Sequence, residues 1–141
     1  MASTPYQTID PVRRPGVYWV GFLFQNTAIT AADILLDFVP GHNFKVVGSQ
    51  AVASTVASTA SKAATVSVKV DGTTQVGASL ALTTAGLAAV GQVVAGAAVA
   101  DANMLVGTPT SKIRLTGSSV TAFVEGATMI YLAIQNLDSA A

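Results

Sequence analysis

The sequence contains no cysteine, and few of its residues are charged. Without cysteine the chain cannot form a disulfide or a thiolate metal site. Only 10% of the 141 residues are charged, and seven basic residues balance seven acidic ones, so the formal net charge is +0. A neutral surface does not attract nucleic acid or anionic lipid, and it offers little repulsion between copies. The composition therefore argues against nucleic-acid and membrane partners and favours self-association.

Residues that usually carry catalysis or bind metals are also scarce. His42 is the single histidine, and its position after Pro40-Gly41 predicts a solvated turn. Asp33 and Asp37 share one face of a strand or a helix, but the sequence places no other catalytic side chain beside them. It contains no phosphate-binding glycine loop and no nucleophile elbow. We therefore expect a protein that is not an enzyme and has no metal and no cofactor.

Long apolar runs are absent as well. The longest, residues 85–100, is rich in alanine but contains Gln92 and three glycines, whereas a membrane helix needs about 20 strongly apolar residues. The alanines of this run suit a helix and its valine pairs suit strands, so both structures stay open, with strand favoured by the surrounding sequence. The first residues contain no apolar leader segment, so we expect no signal peptide.

What the chain does contain is β-prone sequence, beginning with residues 17–24. Six of the nine aromatic residues lie between Tyr18 and Phe44. Both faces of the segment 17–24 are apolar, which predicts a strand buried on both sides with Trp19 in the core. The last strand, residues 127–135, is likewise apolar on both faces. We expect these two strands to be neighbours at the centre of a sandwich.

The middle of the chain shows further strand and turn signals. Two segments with period-2 alternation flank Asp71-Gly72, which predicts a hairpin whose second strand runs from Val76 to Leu82. Gly117-Ser118-Ser119 predicts a second hairpin turn between residues 113–115 and 120–124. Further strands are expected at two places, residues 34–39 (where a short helical turn is the alternative) and residues 44–52.

Together these segments predict an all-β protein with a single β-sandwich of jelly-roll type and about eight strands. The sandwich domain is expected to span residues 16–141. Residues 1–15 contain three prolines, which disfavour both helix and central strand, so they predict an extended N-terminal arm. Such an arm can lie on a partner, and its candidate contact residues are Tyr6, Ile9, Val12, Arg13 and Arg14.

Two parts of the sequence resemble a known family. The segment KVDGTTQVGASLALTTAG is followed by a Gly/Ala/Val-rich stretch and then by SKIRLTGSSVTAFVEGATMIYLAIQNLD. This pattern, over roughly residues 40–138, resembles the decoration or cement proteins of tailed bacteriophages. The resemblance implies a jelly-roll protein that sits as a homotrimer on the outer capsid surface of the virion. It also implies binding to the major capsid protein through the N-terminal arm, and a passage through the host cytoplasm during assembly.

Two other functions remain open. One is a receptor- or carbohydrate-binding module of a head fibre, tail fibre or adhesin, which would need exposed aromatic side chains with clustered Asp, Asn or Gln. The predicted burial of Trp19 argues against such a sugar platform. The other is a small hydrolase, for which the sequence offers no convincing set of catalytic residues.

Overall fold

A computed structural model describes residues 16–138 of the chain, apart from the side chain of Leu36. Within this range the chain forms strands joined by turns, loops and three short 3-10 helices, Asn26–Ala28, Ala85–Leu87 and Asp101–Asn103, and no α-helix. The strands are β1 (Val17–Gln25), β2 (Asp33–Phe38), β3 (Phe44–Thr55), β4 (Ala63–Val70), β5 (Thr73–Thr74), β6 (Leu80–Thr83), β7 (Val93–Ala95), β8 (Val106–Gly107), β9 (Ile113–Thr121) and β10 (Ala127–Asn136).

Two antiparallel sheets pack into a β-sandwich, which confirms the predicted all-β class. Sheet A has the order β1-β10-β3-β7, and β8 also pairs with β3. Sheet B has the order β2-β9-β4-β5, and β6 also pairs with β4. The first four strands therefore alternate between the sheets, with β1 and β3 in sheet A and β2 and β4 in sheet B. The apolar inner faces of the two sheets cover each other.

The core lies between the two inner faces and follows the period-2 alternation of the strands. In β4 every second residue is buried, and the same holds for the first part of β9. From sheet A, β10 contributes inward-facing side chains that are fully buried. The largest fully buried side chains are Phe44, Ile29, Leu80, Leu82, Leu87, Ile113, Leu115, Ile130, Leu132, Ile134, Val46 and Val66.

The hairpin predicted at Asp71-Gly72 is present, but its second strand is interrupted. Lys69 pairs with Thr74 and Val70 with Thr73, and both turn residues have positive φ angles, as a type I′ turn requires. The predicted strand from Val76 to Leu82 is wrong in its first half, because Gly77 and Ala78 adopt left-handed φ angles of 93° and 58°. Pairing with β4 resumes only at β6.

The second predicted hairpin is wrong. Residues 113–121 form one continuous strand, β9, and Gly117 lies within it. A Cβ at Gly117 would collide with the carbonyl oxygen of Thr30, so this glycine permits a close backbone approach instead of a reversal. Ser119 does have a φ of 50°, and the register of β9 against β4 shifts between Ala63 and Thr65. The turn-like sequence therefore marks an irregular register.

Of the remaining expectations for the strands, some are confirmed and one is wrong. The segments at 34–39 and 44–52 are strands β2 and β3, and the ambiguous run 85–100 contains a 3-10 turn and the short strand β7. The first and last strands are neighbours, as expected, with Trp19 opposite Ala133. The expectation that both are central is wrong for β1, which forms one edge of sheet A.

Burial of β1 on both faces is likewise wrong. Its residues alternate between exposed and half-buried along the whole strand. Trp19 is 52% exposed, although the sequence predicts it in the core. A strand with apolar residues on both faces has the same sequence pattern as a fully buried strand. Composition alone does not say whether a second layer covers its outer face.

Candidate functional site: the apolar outer face of sheet A

The outer face of sheet A carries apolar side chains on four adjacent strands, with Gln50 between Tyr131 and Ala95 and with Gln135 and Lys45 at one end. Odd-numbered residues of β1 point outward, and the pairing of β10 with β1 and β3 continues this face across the sheet. We call the following set the apolar face: Val17, Trp19, Leu23, Val52, Val93, Ala95, Met129, Tyr131 and Ala133. Its most exposed members are Leu23 at 57%, Val93 at 55% and Trp19 at 52%.

The strand registers place these side chains in rows. One row runs from Leu23 through Met129 and Val52 to Val93, one residue from each of four strands. Such cross-strand neighbours are close enough to touch, so the row is a continuous apolar band. Contiguous exposed apolar patches on a soluble protein mark interaction sites, whereas isolated apolar residues need no explanation.

Gly21 shapes the middle of this face. A Cβ added to it would lie 2.7 Å from Cε1 of Tyr131 and 2.9 Å from Cε of Met129. The ring of Tyr131 therefore lies across the strand over Gly21, between Trp19 and Leu23. This packing holds Tyr131 down against the sheet, which gives the face a defined surface with few free rotamers.

The outer face of sheet B is built in the opposite way. Apart from Ala63 and Ala81, its outward-facing residues are mostly charged or hydroxyl-bearing. We call the following set the polar face: Asp33, Asp37, Thr65, Ser67, Lys69, Arg114 and Thr116. Arg114 donates to Asp37 from Nε at 3.0 Å and from Nη2 at 2.9 Å, and its Nη1 lies 3.4 Å from Oδ2 of Asp33. Asp33 and Asp37 therefore serve as ion-pair partners of one guanidinium, which accounts for the spacing seen in the sequence.

Hydrogen bonds and nearby positive charges favour the charged form of Asp33. The pKa of Asp33 is lowered, first by the hydroxyl of Thr116, which donates at 2.5 Å, and then by Lys69 and Arg114. The pKa of Arg114 is raised, chiefly by its hydrogen bonds and attraction to Asp37. Each charge in the cluster has an opposite partner, so the cluster stabilises its own arrangement.

Other carboxylates also serve as structural hydrogen-bond acceptors. Glu125 accepts from the backbone N–H groups of Ser58 and Thr59 at 2.9 and 3.0 Å and from the Thr59 hydroxyl at 2.5 Å. These bonds, the hydroxyl first, lower the pKa of Glu125. Asp71 accepts from Ser111 and Lys112 at the end of the β4–β5 hairpin, and its pKa is lowered by the same two groups, the Lys112 N–H most.

His42 is not the solvated turn residue that the sequence predicts. It is half-buried, its Nε2 lies 2.5 Å from the hydroxyl of Tyr18, and its Nδ1 lies 2.9 Å from the carbonyl oxygen of Asn43. Since a carbonyl can only accept, Nδ1 donates to Asn43, and in the neutral ring this leaves Nε2 to accept from the Tyr18 hydroxyl. Partial burial raises the pKa of Tyr18. The pair joins β1 to the β2–β3 turn, and Asp138, which accepts from the backbone and side-chain N–H groups of the adjacent Asn43, interacts electrostatically with His42.

The described residues contain an open depression and no cluster of metal-binding side chains. Residues 16–138 contain no group of three or more His, Cys, Asp or Glu side chains able to hold a metal ion. A shallow depression of about 240 Å³ lies beside the β4–β5 turn, lined by Asp71, Gly72, Lys112 and Arg114. No helix in this range is long and apolar enough to cross a membrane.

The candidate contact residues predicted from the sequence are not part of this face. Tyr6, Ile9, Val12, Arg13 and Arg14 lie outside the described residues. Sequence analysis missed the apolar face because it assigned the apolar odd positions of β1 and β10 to a core. The available signal was double-sided apolarity at both ends of the chain, which fits either a central strand or an exposed binding face.

Comparison with protein-family models, with curated proteins and with solved structures gave no match to this chain. The resemblance to phage decoration proteins therefore stays a prediction from sequence pattern, and the function must be argued from the surface itself.

Proposed function

We propose that this chain is a non-enzymatic structural protein of a virion, which docks on the outside of a phage capsid and stabilises it by bridging major capsid subunits. The observation that carries the proposal is the apolar face, where Trp19, Leu23 and Val93 are each more than half exposed. No cofactor is needed for such a role. The strand order pairs the first strand with the last and alternates the first four strands between sheets, which supports a jelly-roll topology as part of this proposal.

The chemistry of the face suits protein and not nucleic acid. It has no charged member, and aromatic residues and Met are the side chains most enriched at protein interfaces. Trp and Tyr provide large contact area for little lost rotamer freedom, and both are present at its centre. On a capsid, many identical sites can also convert a modest contact into stable attachment when copies are linked.

A test on capsids can separate docking from general surface effects. The full-length chain is added to empty capsids of the phage that encodes it, prepared without the chain, and occupancy is measured by sedimentation and mass spectrometry. We expect Val93→Glu to reduce occupancy strongly, because a carboxylate would be buried against the capsid. Val76→Glu is the matched control, since Val76 is also exposed, at 66%, but lies in the β5–β6 loop.

The outcome that contradicts this proposal is equal occupancy for the two variants. A complementary deletion of residues 2–14 tests the arm. If Tyr6, Ile9, Val12, Arg13 and Arg14 attach the chain to the capsid, the sandwich should fold as before while occupancy falls.

Carbohydrate or receptor binding is the second candidate, and the exposure of Trp19 favours it. An exposed indole is the platform that a sugar ring would need, and the argument from a buried Trp19 no longer applies. Gln135 of β10 lies on the same face, opposite Val17 of β1. Val17 is two residues from Trp19 along β1. Binding of the wild-type chain to a glycan array, lost in Trp19→Ala without loss of fold, would select this function over capsid docking.

A further inference from the structure

Strand β1 is an open edge of sheet A without the features that normally protect such an edge. It has nine residues, VYWVGFLFQ, with no charge and no proline. Its pairing with β10 runs from Val17 to Gln25 without a register shift. Among residues 16–138, no strand pairs with its other side. A long, regular, uncharged edge strand is a template for pairing with another chain.

The backbone groups of β1 that point away from β10 belong to its odd-numbered residues. Asn136 N–H donates to the Gly16 carbonyl and Asn26 N–H to the Gly126 carbonyl, both at 2.9 Å. Since hydrogen-bonded pairs alternate in an antiparallel ladder, the even-numbered residues between these points bond to β10. The odd-numbered residues, whose side chains include Trp19 and Leu23, therefore direct their N–H and C=O groups toward the open edge.

The other edges of the sandwich are short or irregular. Sheet A ends at its opposite side in β7 and β8, of three and two residues, and sheet B ends in β5 and β6, of two and four residues. Its other edge, β2, has two register shifts, carries Asp33 and Asp37, and bends at Asp37, whose φ is 57°. Charges and irregularities of this kind prevent strand addition, so β1 is the exception among the described edges.

We propose that β1 pairs antiparallel with β1 of a second copy of this chain, about a two-fold axis near Gly21. In this arrangement the odd-numbered residues form the hydrogen-bonded pairs, Gly21 faces its own equivalent, and Trp19 lies opposite Leu23 of the second copy. Sheet A then continues across both molecules, and the two apolar faces merge into one surface.

The chemistry of the strand favours a second copy as its occupant. With no charge in β1, two identical strands meet without repulsion, and the antiparallel register matches an aromatic with an aliphatic side chain in both directions. The same contact on both partners closes as a dimer, whereas the homotrimer expected from the sequence needs two different surfaces. This inference does not depend on docking to a capsid, because the contact uses the edge of β1 and only this chain.

The mass of the purified full-length chain tests the pairing. Light scattering at micromolar concentration should give twice the chain mass of 14.2 kDa. Leu23→Glu should reduce this to the monomer mass, because it places a carboxylate in the apolar junction. Val93→Glu changes a residue of similar exposure on β7 and should leave the dimer intact while it impairs capsid docking, so the two proposals fail separately. Should Leu23→Glu not fold, Leu23→Pro removes one edge-facing N–H and no bond to β10.

A distance measurement tests the register. The chain has no cysteine, so Gln25→Cys creates a single site for a nitroxide label. The proposed register separates the two residue 25 Cα atoms by about 27 Å, since eight residues of strand lie between them at about 3.4 Å each. A dimer with this spacing supports the proposal. A monomer, a trimer, a widely different distance, or a dimer that survives both Leu23 variants would overturn it, and a monomer with β1 protected from amide exchange would assign the edge to residues 1–15 instead.

Discussion

The outer faces of the two sheets are made by similar strands, yet they differ in almost every side chain. On sheet B, outward positions of β2, β4 and β9 carry charges and hydroxyls, with Arg114 bound to Asp33 and Asp37. On sheet A, outward positions of β1 and β10 carry Trp19, Leu23, Met129 and Tyr131. Sheet B shows that the sandwich can be built with a polar outer face. The apolar face of sheet A is therefore not required by folding, which supports the proposal that it contacts other protein.

The largest effect that separates the two faces is expected for Trp19→Ala. If Trp19 is an interface anchor, its loss should weaken partner binding by about 30-fold or more, which corresponds to the threshold of roughly 2 kcal/mol for a hot spot. The free energy of unfolding should change by only about 0.5 kcal/mol, since the side chain is half exposed. Chemical denaturation of the variant together with a binding titration measures both quantities. A loss of about 3–5 kcal/mol in stability would mean that Trp19 is a core residue after all.

A smaller effect on stability is expected for Gly21→Ala. The new methyl group would meet the Tyr131 ring and the end of Met129, so these side chains must move, at a cost of about 1–3 kcal/mol. Gly48→Ala is the control on the same sheet, because its Cβ would have only an ordinary contact of 3.8 Å with Ala133. Equal denaturation midpoints for the two variants would show that Tyr131 does not pack over Gly21.

The smallest effect concerns pH and lies on the polar side of the comparison. The pKa values of Asp33, Asp71, Glu125 and Asp138 are below their ordinary values in the folded chain. The unfolded chain therefore takes up protons first as the pH falls. Stability from these groups is complete above about pH 4, close to the pKa of the unfolded carboxyls, and is lost as the pH falls through the lower folded values.

Thermal unfolding between about pH 2 and 7 measures this slope. Asp33→Asn should make the acid slope shallower, whereas Trp19→Ala should leave it unchanged, because the apolar face contains no carboxyl group. An equal change in slope for both variants would contradict the separation of the two faces.

The fold was largely predictable from local pattern. Alternation in residues 63–70, the Asp71-Gly72 turn and the adjacency of first and last strands are each confirmed, because period-2 burial and left-handed turn residues are local properties. The predictions that failed depend on contacts between residues distant in the chain. Gly77 and Ala78 interrupt a regular pattern, and Gly117 resembles a turn while it serves a close approach to Thr30.

The candidate site was less predictable than the fold. Its residues are apolar in the sequence, and period-2 alternation places Met129, Tyr131 and Ala133 of β10 on one face. The exposure of these residues was not predicted, because a strand that is apolar on both sides has the same sequence pattern whether a second layer or a partner molecule covers it.

The amino-acid sequence by itself determined the neutral, cysteine-free composition, the all-β class and the partition of each strand into two faces. These follow from side-chain chemistry and from the two-residue repeat of a strand. Only the tertiary structure decided that β1 is an edge, that Trp19 lies on the surface, and that Asp33 and Asp37 meet Arg114. Those facts depend on which strands pair and which face is covered, and residues distant in the chain settle both.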